Sequence, residues 1–122
     1  MSVVYMFSLE TLEKVEAIKE LAESIKAESI EVIDVSSKTV VTNYIIVCSG
    51  TSDVHVRSIA DRVNDEMRKN KMRPRSVEGR DSGWVLLDFG DVVFHVMREE
   101  QRQFYDLESL WKMMPASDSV EA

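Results

Sequence analysis

Apolar residues recur at helical spacing along the first part of the chain. Leu9, Leu12, Val15, Ile18, Leu21, Ala22 and Ile25 form one stripe, with acids and lysines opposite. Ser8 stands just before the stripe as a candidate N-cap, so the pattern predicts a helix over about 8–27. The period then changes to two: Ile30-Glu31-Val32-Ile33-Asp34-Val35 alternates as a half-buried strand does. A polar loop around Ser36-Ser37-Lys38 leads to Asn43-Tyr44-Ile45-Ile46-Val47-Cys48. That run is continuously apolar and β-branched, as expected of a strand covered on both faces.

Ser49-Gly50-Thr51-Ser52-Asp53 ends this strand, turns the chain, and caps a second helix with Thr51 or Ser52. Val56, Ile59, Ala60, Val63 and Met67 give that helix its core stripe, and Asn70 and Pro74 stop it. A short strand is predicted near 75–78, then a loop over 79–83. A hairpin of 84–89 and 92–97 turns at Gly90-Asp91. Residues 98–103 read as helical, and Asp106 caps a last short helix running through Trp111. The predicted fold class is α/β: one domain with a mixed five-stranded sheet, two long helices and a short C-terminal helix. The strand–helix–strand crossover implies one parallel pair.

At 122 residues the chain suits one domain, about 1–115, with residues 116–122 expected as a disordered tail. A single cysteine, Cys48, excludes an internal disulfide and fits a reducing compartment. Apolar runs of about five residues fall far short of the ~20 needed to span a bilayer, so no membrane role is expected. The N-terminus has no basic region and resembles no signal peptide, which leaves a cytoplasmic location as the expectation.

The formal net charge of −7 is unevenly distributed. Acids outnumber bases eight to three over 1–35 and ten to four over 76–122, while 36–75 holds eight bases against four acids. An acidic surface repels bare nucleic acid and favours a basic protein partner. The exception is the cluster Arg68, Lys69, Lys71, Arg73 and Arg75. Those cations either complement a helix C-terminus or touch a nucleic-acid backbone.

Candidate chemistry is sparse. Gly50-Thr51-Ser52 has the layout of a phosphate site, a strand end before a helix N-terminus, without the glycine spacing of a P-loop. Asp88 and Asp91 offer carboxylates to a metal, yet Asp91 belongs to a turn and no Asp-x-Asp pair exists. His95 lies between Phe94 and Val96 and reads as a hydrogen-bonded core histidine; Cys48 reads as an inert strand thiol. No metal ligand set, no cofactor and no catalytic residue is expected. A nucleotide- and Mg-dependent transferase using Gly50-Thr51-Ser52, with Asp88 as metal ligand, is the rival reading.

The hairpin faces point elsewhere. Alternation puts Trp84, Leu86 and Asp88 on one face and Val85, Leu87 and Phe89 on the other. Two long helices do not cover both faces of five strands. An uncovered Trp84 face would be an aromatic–aliphatic patch rimmed by acid, suited to an Arg/Lys-bearing partner. The alternative is that a helix covers this face and makes Trp84 core. The patch could also pair isologously with a second copy in a homodimer.

Four motifs then carry a resemblance. They are Tyr44-Ile45-Ile46-Val47-Cys48-Ser49-Gly50-Thr51-Ser52-Asp53; Val77-Glu78-Gly79; Trp84-Val85-Leu86-Leu87-Asp88-Phe89-Gly90-Asp91-Val92-Val93-Phe94-His95-Val96; and Phe104-Tyr105-Asp106-Leu107-Glu108 with Leu110-Trp111. In this order and spacing the chain resembles the Iojap-like family, the ribosomal silencing factors, from about Leu9 to Trp111. The resemblance implies a nucleotidyltransferase-like domain without the catalytic acids. It implies a repressor that binds the large ribosomal subunit through its protein fourteen and blocks joining of the small subunit. The partner surface it implies includes Trp84, Leu86 and Asp88, with Glu78, Asp91 and Tyr105 as neighbours. Replacing Trp84 and Asp88 by Ala is expected to abolish docking and leave the fold intact. The basic cluster at 68–75 is no family motif and leaves ribosomal RNA contact open.

Overall fold

A computed structural model describes residues 3–115, with side chains described from residue 10 onward, so the tail expected at 116–122 lies outside the described residues. The elements run α1 (Val3–Ser24), β1 (Glu28–Asp34), β2 (Tyr44–Gly50), α2 (Asp53–Lys69), β3 (Ser76–Glu78), β4 (Trp84–Asp88), β5 (Val92–Arg98), α3 (Glu99–Tyr105) and α4 (Leu107–Met113). The expected α/β class and five-stranded mixed sheet are observed. Ser8, however, is no cap: α1 begins at Val3, because residues 3–7 contain no Gly or Pro to stop a helix.

Strand order is β1-β2-β5-β4-β3. The single parallel pair is β2 with β5, in register from Tyr44↔Val92 to Gly50↔Arg98. The remaining neighbours are antiparallel. A bulge between Glu28 and Glu31 interrupts β1, where Ser29 takes a left-handed φ of 50°.

Both long helices end alike. Ala27 N–H donates to the Ala22 carbonyl and Lys26 N–H to that of Glu23; Met72 and Lys71 repeat the pattern onto Met67 and Arg68. These are Schellman turns, with Lys26 (φ 64°) and Lys71 (φ 63°) in the left-handed position that glycine usually fills.

One face of the sheet is fully covered. Val15, Ile18 and Ala22 of α1 and Val56, Ile59, Ala60, Val63 and Met67 of α2 pack on Ile46, Cys48, Val85, Leu87, Phe94 and Val96. Burying each Val, Leu or Ile there contributes about 1.5–3 kcal/mol. Leu12 breaks the expected α1 stripe, with 47% of its surface exposed. Gly50 lets α2 approach this closely, since a Cβ there would lie 2.8 Å from a Val56 methyl.

The opposite face is covered by half. Ile33, Val35, Ile45, Val47 and Met97 form a second, smaller cluster beneath Leu107 and Trp111, with Trp84 at its border. β2 is therefore buried on both sides, as its unbroken apolar run predicts. No helix among the described residues is long and apolar enough to cross a membrane.

Candidate functional site

The half-covered face is held in place by an ion cluster. Arg102 of α3, 9% exposed, donates to Ser49 Oγ at 2.9 Å and pairs with Glu108 of α4. Its guanidinium also lies 3.9 Å from Glu31 of β1, a carboxylate that Lys112 pairs with in turn. Ser49 Oγ donates to Glu99 at 3.0 Å, and that bond, with a second from Gln103, holds the Glu99 carboxyl below the usual range. One buried arginine thus pins α3 and α4 over β1, β2 and β5. Those two helices meet β4 at its first residue, where Tyr105 packs on Trp84.

At that boundary the aromatic residues gather. Trp84 is half-buried, its ring 4.9 Å from that of Tyr105, and Phe104 meets Tyr105 edge-on at 5.0 Å. Trp84 Nε1 donates to His95 Nδ1 at 3.0 Å. His95 is the core histidine its strand position predicts, and burial lowers its pKa to about 4, so it accepts from Trp84 as a neutral ring. Phe104 and Tyr105 project outward with 81% and 53% of their surfaces exposed.

Two shallow hollows flank the rings. One, about 270 Å³, is lined by Glu78, Gly79, Ser82, Trp84 and Leu86. The other, about 320 Å³, is lined by Glu100, Gln101, Phe104 and Tyr105, and buried Gln101 Oε1 has no hydrogen-bond donor. The loop before β4 is shaped by Gly79 (φ 74°), where a Cβ would overlap the Trp84 carbonyl oxygen.

The sequence-derived residues separate into two groups. Trp84, Leu86, Glu78 and Tyr105 come together at the aromatic boundary, Glu78 sitting directly across from Leu86. Asp88 shares their face but lies four residues along β4 from Trp84, roughly 13 Å away. There it pairs with Arg75 at 3.1 Å and accepts from Gly90 N–H at 2.8 Å. Asp91 turns toward α1, accepting from Thr11 at 2.7 Å and Lys14 at 3.1 Å. Asp88 is thus committed to the hairpin turn and Asp91 to α1. Phe104, quoted only within a family motif, and Glu100 and Gln101 join the site without having been expected on the partner surface; an aromatic pair in an otherwise polar helical stretch was the available signal.

The transferase geometry does not assemble. Gly50 pairs with Arg98 at one end of β5, whereas Asp88 pairs with Val93 at the other, five residues or roughly 17 Å along the strand. The Thr51 amide, which a phosphate would need, donates instead to His55 Nδ1 at 2.9 Å. Ser52 Oγ caps α2 by accepting from His55 N–H at 3.0 Å, and His55 Nε2 donates to the Ile25 carbonyl. Cys48 is buried, and its thiol is pushed up to about 12 by desolvation.

Known proteins resemble this chain in sequence and fold. The family model described as "Ribosomal silencing factor during starvation" matches residues 8–122. A ribosomal silencing factor from Bacillus subtilis is 38% identical over 94 residues, 76% of this chain and 80% of that protein. A mouse protein named for mitochondrial assembly of the ribosomal large subunit is 33% identical over 98 residues, 77% of this chain but 43% of its own. A crystal structure from Chromobacterium violaceum superposes with a TM-score of 0.81 at 34% identity, covering 87% of this chain and 89% of the other. With its five-stranded mixed sheet and nearly full-length match, this chain belongs to the ribosomal silencing factor family.

Proposed function

We propose that this protein represses translation by docking its half-open sheet face on the large ribosomal subunit, which keeps the small subunit from joining. The observation that carries the reading is the exposed aromatic group of Trp84, Tyr105 and Phe104, rimmed by Glu78 and Glu100. Rings at a partly desolvated centre with charge at the edge are the arrangement of a binding hot spot. Acid rims suit a basic protein surface, and the resemblance implies protein fourteen of that subunit as the surface met. The name of the mouse relative, which refers to the large subunit, supports the same particle here. A standard interface of roughly 1,600 Å² is large enough to exclude a second subunit sterically, so the mechanism makes and breaks no covalent bond. The reading implies a regulatory, cytoplasmic protein rather than an enzyme.

The test uses Phe104 and Glu78, because Trp84 also holds His95 and Asp88 holds the hairpin turn, so Ala at those two would damage the fold. Phe104→Ala with Glu78→Lys is expected to lose co-sedimentation with purified large subunits while melting like the wild type. Co-sedimentation at wild-type levels would refute the docking face. Solution mass measured alongside shows whether a second copy competes for the same surface.

A further inference from the structure

The cations at and beyond the end of α2 are not equivalent. Lys69 pairs with Glu66 at 3.2 Å and Arg75 with Asp88 at 3.1 Å, so both are committed to neighbours. Arg80, further on, is committed to Asp61 at 2.8 Å. Arg68, Lys71 and Arg73 have no acidic partner among the described residues. Arg68 and Arg73 share one hollow of about 100 Å³ with Asn64, Pro74 and Val77.

The fold builds that hollow. Asn64 and Arg68 stand four residues apart on α2 and so share a helix face. The Schellman turn at Lys71 reverses the chain, Met72 packs against the core, and Arg73 returns to the hollow from its other side. Arg68 lies in the last turn of α2, where the dipole favours a cation, but Arg73 lies beyond the helix and gains nothing from it. Asn64 contributes a buried carboxamide oxygen that has no donor among the described residues.

We infer that this hollow grips a backbone phosphate of structured RNA, with Arg68 and Arg73 as the two guanidinium forks. Guanidinium groups match phosphate oxygens bidentately. A nucleotide or drug-sized ligand needs roughly 300–1,000 Å³, far more than this hollow has, so a single phosphate of a longer chain fits and a free nucleotide does not. The chain as a whole carries a net −7, so the surface away from these arginines repels a polyanion and confines its contact to this spot.

Its position fits a second contact. Val77 is opposite Leu87 and faces α2, whereas Glu78 is opposite Leu86 and faces the aromatic site. The basic hollow and the aromatic site therefore lie on opposite layers of the sheet and meet at edge strand β3. A particle made of protein and RNA can engage both. The inference rests on the large-subunit reading in that the RNA is taken to be that of the subunit.

Binding to purified large subunits, titrated from 50 to 200 mM salt, tests it. Each phosphate contact adds about 0.7–0.9 to the slope of log affinity against log salt. Arg68→Gln with Arg73→Gln, which together remove the one phosphate contact, is expected to bind more weakly and to flatten that slope by about 0.7–0.9, so wild-type affinity falls roughly 3-fold more across the range. Arg62→Gln, on the same helix but outside the hollow, is expected to keep the wild-type slope. An unchanged slope in the double variant, or an equal loss in Arg62→Gln, overturns the hollow as a phosphate site and leaves the docking reading standing. Wild-type protein that fails to bind subunits at every salt concentration overturns both.

Discussion

Lowering the pH should destabilise this protein through His95. The ring is 8% exposed, accepts from Trp84 Nε1, and has its pKa lowered from 6.5 to about 4 by burial. The unfolded chain therefore takes up a proton near pH 6.5 that the folded chain refuses until about pH 4. Since the unfolded state binds more protons within that window, stability rises with pH and is lost as pH falls. At 1.36 kcal/mol per unit the loss is about 2 kcal/mol at pH 5 and about 3 kcal/mol once both states are protonated. Carboxylates also titrate there, so the assay is a difference. Urea unfolding free energies of wild type and His95→Gln are compared from pH 7.5 to 4.5; glutamine keeps an acceptor for Trp84 but does not titrate. The two curves should converge or cross as pH falls, by about 2 kcal/mol. Parallel curves would mean that His95 is protonated in the fold or relieved by Glu108, whose charge opposes the shift.

Removing Arg102 should be costlier than its single side chain suggests. Arg102→Ala leaves Glu108, 12% exposed, without its cation, at a cost of about 3–5 kcal/mol in urea unfolding. Arg102→Met with Glu108→Leu should recover most of that, and a double variant as unstable as the single would refute the pairing. Gly79→Ala places a Cβ against the Trp84 carbonyl at a φ of 74° and should lower stability by about 1–3 kcal/mol, read from thermal melting. Cys48 should resist thiol reagents at pH 8 in the native state and react only at the rate of unfolding, because its pKa of about 12 leaves almost no thiolate.

Much of the fold was legible because periodicity reports burial directly. The unbroken run at 44–48 announced a strand covered twice, and the helical spacing of Val56, Ile59, Ala60, Val63 and Met67 announced the face that α2 buries. The start of α1 was not legible, since Ser8 is as ordinary inside a helix as at its cap. Within the site, Trp84 and Leu86 followed from strand alternation. Asp88 and Asp91 were harder to place, because a carboxylate's partner depends on which distant cation the fold delivers. Arg75 arrives through a helix reversal and Lys14 across 77 residues, and neither can be read from local spacing. Phe104 depended on where α3 lands relative to β4, which is a matter of tertiary packing alone.

Asp106 has a wider consequence than its size implies. In a left-handed conformation (φ 47°) it ends α3, and its carboxylate accepts from Ser109 N–H to begin α4. It thus divides the C-terminal segment into two helices of seven residues each. Helices that short are marginal in water, so α3 and α4 exist by virtue of what they sit on. They form a natural cooperative unit for opening ahead of the sheet, the kind that amide hydrogen exchange detects. When that unit opens, Ile33, Ile45 and Val47 meet solvent on a flat β surface, a recipe for self-assembly into aggregates. By holding the unit shut, the buried arginine therefore protects the solubility of a protein that already exposes Phe104 and Tyr105 beside that surface.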